Sequence, residues 1–337
     1  MEINHLDLFS GIGGFHKGFE QAGYKVNSYF SEIDKHAVAV YKNKFKNSKY
    51  VGSVTNVRAA DLPNIDLITF GSPCQDFSLA GKRKGMEGER SSLVLEAIRL
   101  VSKCRPNAFI WENVKGAFSS NNGEDFAAIL QSFANIGGYR LEWQLLNTSW
   151  FLPQNRERIY LVGYSTTPGR NWRGVFPITE ARGADNEPSE KECDKNLSPT
   201  ICKNYWRFAN DTPVFVEQNY NYKKVNETIE QNPKSFKRGK PQMMDLHNRS
   251  VKDISPCLVE PHHNGAALFN GYRIRRLTPI ECERLQGFPD NHTEYGNYDG
   301  EVKKISNTQR YKQCGNAVTV NVVQAIAEKI KPLFNAI

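Results

Sequence analysis

The chain has 337 residues, of which 39% are hydrophobic, and carries a net charge of +8 with a pI near 9.0. This length can supply one sizeable core and a second, smaller module, and the excess of positive charge favours an anionic partner. No apolar run approaches the about 18 residues of a membrane helix, and the amino terminus lacks the features of a signal peptide, so we expect a cytoplasmic protein.

Seven cysteines occur without a Cys-x-x-Cys pair, which indicates reduced thiols and argues against a disulfide framework or a compact zinc site. Four side chains of the middle region, His247, Cys257, His262 and His263, do not follow a common zinc spacing. We therefore predict no metal site.

The amino-terminal segment predicts a strand, a glycine loop and a helix in succession. Residues 6–9 are apolar except for Asp7, residues 10–15 contain Gly11, Gly13 and Gly14, and a helical pattern covers residues 16–22. Glycines allow the backbone to approach a cofactor closely, and the free amides of a helix start bind polar groups. A glycine-rich turn alone is weak evidence for such a site.

A second strand is predicted at residues 26–30 and ends near Glu32. An acidic side chain about 20 residues past the glycines is where a ribose hydroxyl pair is bound. The glycines do not follow the full dinucleotide spacing, because Gly11, Gly13 and Gly14 are followed next by Gly18, and no glycine or alanine stands at the expected third position. The pattern therefore favours a mononucleoside cofactor over NAD.

The apolar run at residues 65–70 predicts a strand that leads into Gly71, Ser72, Pro73, Cys74 and Gln75. Gly71 permits unusual backbone angles and Pro73 fixes its own, so the chain can turn sharply and present the Cys74 thiol as a nucleophile. The alternative for a free cysteine is a small buried hydrophobe.

Two further strands deliver polar groups to the same sheet. Residues 108–111 predict a buried strand that carries Glu112 at its carboxyl end, where ligands bind in open α/β sheets. Residues 159–162 predict another, preceded by Arg156 and Arg158 in the run Gln-Asn-Arg-Glu-Arg. These guanidinium groups could hold an oxygen-rich substrate, although such a run read alone is more often a solvated surface.

Taken in order, these segments resemble the DNA (cytosine-5)-methyltransferase family of the bacterial restriction-modification type. The resemblance continues through Arg276-Leu277-Thr278-Pro279, residues 283–289, residues 313–318 and a closing amphipathic helix, but does not cover residues 169–270. It implies an α/β fold: a Rossmann-like sheet that binds S-adenosyl-L-methionine, with a second, smaller target-recognition domain. It also implies methyl transfer to carbon 5 of cytosine, with S-adenosyl-L-homocysteine as product.

The resemblance implies catalytic roles for Cys74, Glu112, Arg158 and Arg156. The Cys74 thiolate would add to carbon 6 of the ring, so that carbon 5 can attack the methyl group. Glu112 would bond N3 and the exocyclic amine, and Arg158 would hold the O2 side. No side chain is identified as the base that removes the carbon 5 proton.

Cofactor contacts carry over to ten positions. They are Phe9, Gly11, Gly13, Phe15, Glu32, Ile33, Ser53, Val54, Pro73 and Asn316. The chain departs from the family at Ser53, where an aspartate commonly contacts the adenine amine, and a serine would accept that hydrogen bond more weakly. Ile33 could instead be a core residue.

A flipped-out cytosine needs a mobile clamp, and the basic, glycine-containing segment 78–92 resembles the family's catalytic loop. An ordinary surface loop is the alternative. We predict DNA contacts from Gln75, Ser78, Lys82, Arg83, Arg90, Arg249 and Arg275.

The predicted catalytic domain comprises residues 1–168 and 308–337, the target-recognition domain residues 169–270, and a hinge segment with the Arg-x-Leu-Thr-Pro motif residues 271–307. The expected partner is double-stranded DNA, bound by a monomer, with a cognate restriction endonuclease encoded nearby. Two alternatives remain. One is a methyltransferase of the same chemistry that acts on RNA, and the other is a scaffold or regulator without catalysis, against which the intact Cys74, Glu112 and Arg158 argue.

Overall fold

The computed structural model describes residues 1–72, 92–119, 123–166, 174–179, 215–216, 231, 241–245, 250–252, 266–270 and 273–334. The strands are β1 (Glu2–Leu8), β2 (Lys25–Ser31), β3 (Lys49–Tyr50), β4 (Leu67–Gly71), β5 (Ala108–Val114), β6 (Tyr139–Asn147), β7 (Glu157–Ser165), β8 (Phe215–Val216), β9 (Pro241–Asp245), β10 (Ser250–Lys252), β11 (Ala266–Asn270), β12 (Arg273–Arg276), β13 (Tyr295–Tyr298) and β14 (Glu301–Lys304). The helices are α1 (Gly14–Gln21), α2 (Lys35–Lys44), α3 (Ser92–Cys104), α4 (Gly116–Ser119), α5 (Glu124–Ala134), α6 (Pro279–Leu285), α7 (Asn307–Asn316) and α8 (Val320–Ile330).

Seven strands form the large sheet in the order β3-β2-β1-β4-β5-β7-β6. Strands β1 to β5 pair in parallel, whereas β7 is antiparallel to both β5 and β6. Because β7 runs in the opposite direction, its first residues lie at the sheet edge where β4 and β5 end. This places the run before β7 beside the carboxyl ends of the parallel strands.

Apolar side chains cover both faces of this sheet. One core cluster joins α1 and α8 to the sheet through residues such as Phe19, Tyr160 and Val323, and the other joins α3 and α5 through Leu100, Trp111 and Phe133. Strands buried on both faces read as continuous hydrophobic runs, which is why β4 and β5 were recognisable. The predicted α/β class is confirmed.

The carboxyl-terminal helices return to the amino-terminal strands and helix. Helix α8 packs along α1, and the Tyr24 hydroxyl donates to the Ala327 carbonyl at 2.8 Å. Gly18 of α1 allows this approach, because a Cβ there would lie 2.5 Å from Val323 Cγ1. The termini therefore meet in one core.

Strands β10-β9-β11-β12-β8 form a second sheet, in which only β12 and β8 pair in parallel among the strands described. Its Met243 packs in a cluster with Leu277 and Tyr311. Helix α6 follows, and its start is fixed by a capping box between Thr278 and Glu281. The hairpin of β13 and β14 lies on α2.

Residues 174–179 lie along the outer strand β6 of the large sheet. The Val175 and Phe176 amides donate to the Glu142 carboxylate, and Ile178 exchanges hydrogen bonds with Gln144. The start of the region predicted for target recognition is thus packed against the large sheet. Among the described helices, none is long and apolar enough to cross a membrane.

Candidate active site

Glu112 of β5 lies directly over the end of β4. The two strands are in register at Gly71 and Glu112, and a Cβ at Gly71 would lie 3.1 Å from Glu112 Oε2. The absence of a side chain at Gly71 therefore leaves room for the carboxyl group. Cys74 follows Gly71 by three residues along the chain, so the carboxyl group is close to the point where the chain leaves the sheet toward the predicted nucleophile.

Arg158 completes this edge of the sheet. Its Nε lies 3.2 Å from Glu112 Oε1, and the two side chains are only 15% and 10% exposed. The pairing of β5 with β7 brings Val114 opposite Arg158, so the antiparallel strand sets this contact. The structure thus brings together two of the predicted catalytic residues as a largely buried ion pair.

Hydrogen bonds from β5 hold Ser72, the last described residue before Pro73. The Trp111 indole Nε1 donates to Ser72 Oγ at 3.1 Å, and Asn113 Nδ2 donates to the Ser72 carbonyl at 3.1 Å. Asn113 also accepts from the Val114 amide at 2.8 Å, which fixes its own orientation. Two side chains that flank Glu112 therefore fix the orientation of Ser72, two residues before Cys74 along the chain.

Arg156 is placed differently from Arg158. It is 4% exposed, and its Nη2 donates to the Ala317 carbonyl at 2.9 Å, in the segment between α7 and α8. Asn316, a predicted cofactor contact, precedes Ala317 and is exposed at the end of α7. Arg156 thus connects the strand that carries Arg158 to the segment that carries Asn316.

The glycine loop follows β1 in left-handed backbone conformations. Phe9 has a φ of 52°, Gly11 of 52° and Gly13 of 84°, and the Ser10 amide donates to the Ser31 carbonyl at 3.1 Å. The strand predicted at residues 6–9 differs at both ends, because β1 begins at Glu2 and ends at Leu8, where the chain turns. Helix α1 begins immediately after Gly13.

Glu32 lies opposite this loop at the end of β2. Its Oε2 accepts from the Gly11 amide at 2.9 Å, and its Oε1 accepts from the Ile33 and Asp34 amides at 2.7 and 2.9 Å. These bonds orient the carboxylate toward the glycine loop, where the sequence predicts that a ribose is bound. A carboxylate fixed by backbone amides is held in a single orientation.

The other predicted cofactor contacts differ in exposure. Ile33 is 81% exposed, so the alternative of a core residue is wrong for it. Val54 and Phe15 are buried, and Phe15 packs in the core beneath the loop together with Val318. Ser53 Oγ lies 3.0 Å from Thr55 Oγ1 on the surface.

Open space and polar atoms without partners occur at this loop, as expected for a site that binds a polar ligand. Among the described residues, a Cβ at Gly11 would meet nothing within 4 Å. Within the part of the chain that the structure describes, Ser10 Oγ is buried without a hydrogen-bond partner, as are both polar side-chain atoms of Gln313, one turn before Asn316 on α7. The residues present therefore fit a nucleoside cofactor. Ser10 and Gln313 were not predicted as site residues, although both lie inside the motifs that carried the resemblance.

A buried polar network lies beneath the loop. The Asp7 carboxyl group accepts from Thr69 Oγ1 at 2.9 Å and from the Tyr41 hydroxyl at 3.2 Å, and the latter also lies 3.1 Å from His16 Nδ1. Burial raises the pKa of Asp7 to about 8, against the lowering effect of these hydrogen bonds. A pKa raised in this way favours the protonated form of Asp7 at neutral pH.

The side chains of nine predicted site residues are not described by the structure. Arg275 is on β12 opposite Leu268 of β11. Pro73, Cys74, Gln75, Ser78, Lys82, Arg83, Arg90 and Arg249 lie outside the described residues, as do His247, Cys257, His262 and His263. Within the ranges that the structure does describe, no group of His, Cys, Asp or Glu side chains could hold a metal ion.

The family model for C-5 cytosine-specific DNA methylases matches residues 3–332. The type II methyltransferase M.Bsp6I of Bacillus sp. (strain RFL6) is 33% identical over 96% of this chain and 96% of its own length. The type II methyltransferase M1.ScrFI of Lactococcus lactis subsp. cremoris is 34% identical over 96% of this chain and 77% of its own length.

Among solved structures, the Dnmt2 methyltransferase of S. pombe superposes with a TM-score of 0.62 at 18% identity, over 98% of this chain and 99% of the other. The methyltransferase EhMeth of Entamoeba histolytica gives a TM-score of 0.59 at 19% identity, over 99% and 98% of the two chains. These likenesses concern the fold. The match of the family model along nearly the whole chain, together with the curated relatives, shows that this protein belongs to the C-5 cytosine-specific DNA methylase family and is a DNA (cytosine-5)-methyltransferase.

Proposed function

We propose that the protein methylates carbon 5 of a flipped-out cytosine within a specific duplex DNA sequence, through a covalent bond between Cys74 and carbon 6. The methyl donor is S-adenosyl-L-methionine, which the family uses generally. We further propose that it is a monomeric, cytoplasmic modification enzyme that protects host DNA from a cognate restriction endonuclease. The curated relatives named type II methyltransferases support the last part.

The observation that carries this proposal is the pair formed by Glu112 and Arg158 over Gly71. The two groups lie 3.2 Å apart beside Gly71, three residues before Cys74 in the sequence. Together they present hydrogen-bond donors and acceptors side by side. The Watson–Crick edge of cytosine presents N3, an exocyclic amine and O2, which these groups can bind. The largely buried position strengthens these hydrogen bonds as charge develops on the ring.

In this mechanism the Cys74 thiolate adds to carbon 6, and the ring carries the resulting negative charge. Glu112 bonds N3 and the exocyclic amine, while Arg158 holds O2, so both stabilise the charged ring. When bound, S-adenosyl-L-methionine would supply the electrophilic methyl group. Carbon 5 would bond to that methyl group, and the electron pair of the broken sulfur–methyl bond would stay on sulfur in the product S-adenosyl-L-homocysteine. Loss of the carbon 5 proton then returns electrons to the ring and expels Cys74 as the thiolate. Water is one acceptor for that proton.

The cofactor would be held by the glycine loop and the segments that surround it. Glu32, fixed by three backbone amides, faces the loop and would bind the ribose, and the exposed Ile33 would pack on the adenine. Asn316 and Pro73 would close the site. Ser53 would make the weaker adenine contact that its side chain allows. The Gly11 position, where a Cβ would meet no described atom within 4 Å, would admit the methionine part.

DNA would be bound between the two sheets, with Gln75, Ser78, Lys82, Arg83 and Arg90 on the catalytic loop. Arg249 and Arg275 would contact DNA from the second module. Lysine and arginine contacts to phosphate would make binding depend strongly on salt. The net charge of +8 supports this assignment.

The first experiment measures transfer of tritium from labelled S-adenosyl-L-methionine to mixed-sequence duplex DNA and to RNA, with Cys74→Ser as the control. We expect labelled DNA with the parent protein and none with the variant, and bisulfite sequencing should reveal one site. Transfer to RNA alone would overturn the proposed substrate. Absence of transfer with intact cofactor binding would favour the regulatory alternative.

The covalent step is tested with duplex DNA that carries 5-fluorocytosine at the site. Fluorine cannot leave carbon 5 as a proton does, so the adduct with Cys74 should persist and be detected by mass spectrometry. A parent protein that methylates normal DNA but forms no such adduct would contradict the covalent mechanism. Protection is tested by resistance of host DNA to restriction enzymes that cut the mapped site.

A further inference from the structure

The two arginines of the segment before β7 contact different partners. Arg158 pairs with Glu112 at 3.2 Å, whereas Arg156 donates to the Ala317 carbonyl at 2.9 Å, 161 residues along the chain. We propose that Arg156 is a positioning residue for the cofactor site, which holds residues 316–318 against the glycine loop. This inference rests on the proposed function, because it names a residue that shapes the same cofactor site.

The segment that Arg156 holds is a break between two helices. Helix α7 ends at Asn316, Ala317 is extended with φ −70° and ψ 151°, and α8 begins at Val320. Carbonyl groups at a helix end have no partner within the helix and must be satisfied from outside. A guanidinium donor forms a stronger hydrogen bond than a neutral one. Arg156 therefore supplies a partner that the helices themselves cannot supply.

The same segment is in close contact with the start of α1. A Cβ at Gly14 would lie 2.8 Å from the Val318 carbonyl oxygen and 2.6 Å from Val318 Cγ2. Gly14 directly follows Gly13 of the loop. Since protein interiors are close-packed, a shift of residues 316–318 displaces the first turn of α1 or opens a gap beside it. The position of the glycine loop thus depends on the position of this segment.

A second, independent set of hydrogen bonds joins the same elements. Thr148, at the end of β6, lies with its Oγ1 2.8 Å from Thr319 Oγ1, which donates to Gln286 Oε1 at 3.0 Å. Gln286 Nε2 donates to the Cys314 carbonyl at 2.9 Å. The Thr148 amide donates to the Arg156 carbonyl at 3.0 Å, so both sets start from the same turn. Residues 314–319 are therefore held at more than one point.

Burial separates this role from a catalytic one. Arg156 is 4% exposed and its guanidinium is directed to backbone of the carboxyl-terminal segment, whereas the Glu112 and Arg158 pair lies at the sheet edge next to Ser72. A group that touches a flipped base needs a surface on which the base can lie. Through its bond to the Ala317 carbonyl, Arg156 acts on the segment that carries Asn316.

The experiment compares Arg156→Lys with Arg158→Lys, because lysine keeps the charge but loses the planar set of donors. Calorimetry gives the Kd for S-adenosyl-L-methionine without DNA, and methyl transfer gives kcat at saturating cofactor. We expect Arg156→Lys to raise Kd by about tenfold with a smaller effect on kcat. We expect Arg158→Lys to lower kcat by about tenfold or more with little effect on Kd. Arg140→Lys, the same change at an exposed arginine of β6, should alter neither.

Hydrogen exchange of residues 314–322 without cofactor measures the contact itself. Faster exchange is expected in Arg156→Lys and in Thr319→Val, but not in Thr319→Ser, which keeps the hydroxyl. If Arg156→Lys does not fold, Arg156→Gln, which keeps an amide donor and loses the charge, carries the same test. The inference would be overturned if Arg156→Lys kept the Kd and the hydrogen-exchange rates of the parent protein and lost only kcat. That result would place Arg156 in contact with the flipped cytosine. A parent protein that binds no cofactor would instead overturn the proposed function, and the inference with it.

Discussion

The Asp7 carboxyl group accepts a hydrogen bond from the Tyr41 hydroxyl at 3.2 Å inside the core beneath the glycine loop. Both residues are fully buried, and Tyr41 also contacts Ser28 Oγ at 2.7 Å. Burial raises the pKa of Asp7 to about 8 and that of Tyr41 above its usual range. A neutral carboxylic acid and a neutral phenol therefore lie beneath the glycine loop of the predicted cofactor site.

The first prediction concerns how the stability depends on pH. Asp7 has a pKa of about 8 in the folded protein against 3.8 as the ordinary value. A raised pKa means that the stabilisation is present at low pH and is lost as pH rises toward 8, because the unfolded chain gives up this proton first. Relative to Asp7→Asn, the parent should lose up to about 1.4 kcal/mol of unfolding free energy per pH unit between about pH 5 and 8.

Urea denaturation of both proteins at several pH values measures this difference. The comparison with Asp7→Asn is necessary because burial also lowers the pKa values of His5 and His16. These histidines reduce the unfolding free energy as pH falls, whereas Asp7 reduces it as pH rises. Asparagine keeps the size of the side chain and cannot ionise. A difference between the two proteins that is constant with pH would contradict the protonated state of Asp7.

The second prediction concerns His292, which donates from Nε2 to the Ile12 carbonyl at 2.9 Å. Burial lowers the pKa of His292 to about 3. A lowered histidine pKa gives stability that is full above the ordinary value of 6.5 and is lost as pH falls toward 3. In His292→Gln, an amide nitrogen can replace Nε2 without titrating, so this loss should be smaller in acid.

Thermal unfolding of the parent and of His292→Gln between about pH 4 and 7 tests the point. At neutral pH the two proteins should be similar. His292→Phe, which removes the donor and leaves the Ile12 carbonyl without it, should be less stable at every pH. An identical acid response of the parent and of His292→Gln would show that His292 does not cause the loss.

The sequence predicted best those elements whose signal is local. The strands β4 and β5 are continuous apolar runs bounded by turn residues, and Glu112 follows from its place at the end of one of them. The predicted end of β1 was one residue too late, because Phe9 has a positive φ. A bulky residue rarely adopts such an angle by its own preference, so the sequence does not reveal it. Local patterns predict that a strand or helix exists, but they do not determine the residue at which it ends.

Contacts between distant parts of the chain could not be predicted in the same way. The order of Arg156 and Arg158 gives no sign that one faces Glu112 and the other a carbonyl 161 residues away. His292 likewise reaches Ile12 over 280 residues. Such partners are decided by how helices and strands pack, which a run of sequence letters does not record.

The third prediction concerns the contact of α1 with α8. A Cβ at Gly18 would lie 2.5 Å from Val323 Cγ1 and 3.0 Å from the Val320 carbonyl oxygen. Gly18→Ala must therefore separate the helices, although alanine favours helix formation. We expect a loss of about 1–3 kcal/mol of unfolding free energy.

Gly116→Ala on α4 is the matched control, because the nearest described atom to a Cβ there is at 3.9 Å. It should be neutral or slightly stabilising. Urea unfolding of both variants gives the comparison. A Gly18→Ala protein as stable as the parent would mean that the two helices can separate without cost.

The last prediction concerns the hydrogen bond from Trp111 Nε1 to Ser72 Oγ, at 3.1 Å. Trp111→Phe removes this donor and keeps an aromatic ring in the core, although a smaller one. Asn113 still bonds the Ser72 carbonyl, so the turn is weakened and not lost. We expect kcat to fall by about tenfold, because the loss of one buried hydrogen bond is of that order. The Kd for S-adenosyl-L-methionine should change little, since the hydrogen bond that is removed goes to Ser72 and not to the glycine loop.

Methyl transfer and the rate of Cys74 alkylation by iodoacetamide measure this effect, the second independently of the cofactor and DNA. Trp143→Phe, at a tryptophan of β6 that is 42% exposed, is the matched control and should leave both rates unchanged. A slower or faster alkylation of Cys74 in Trp111→Phe alone would show that the indole sets the turn. If kcat falls only in proportion to a lower thermal stability, Trp111 serves the core and does not position Ser72. Because Ser72 is joined to Cys74 through Pro73 alone, a change in its orientation is passed on to the thiol with little chain in between to absorb it.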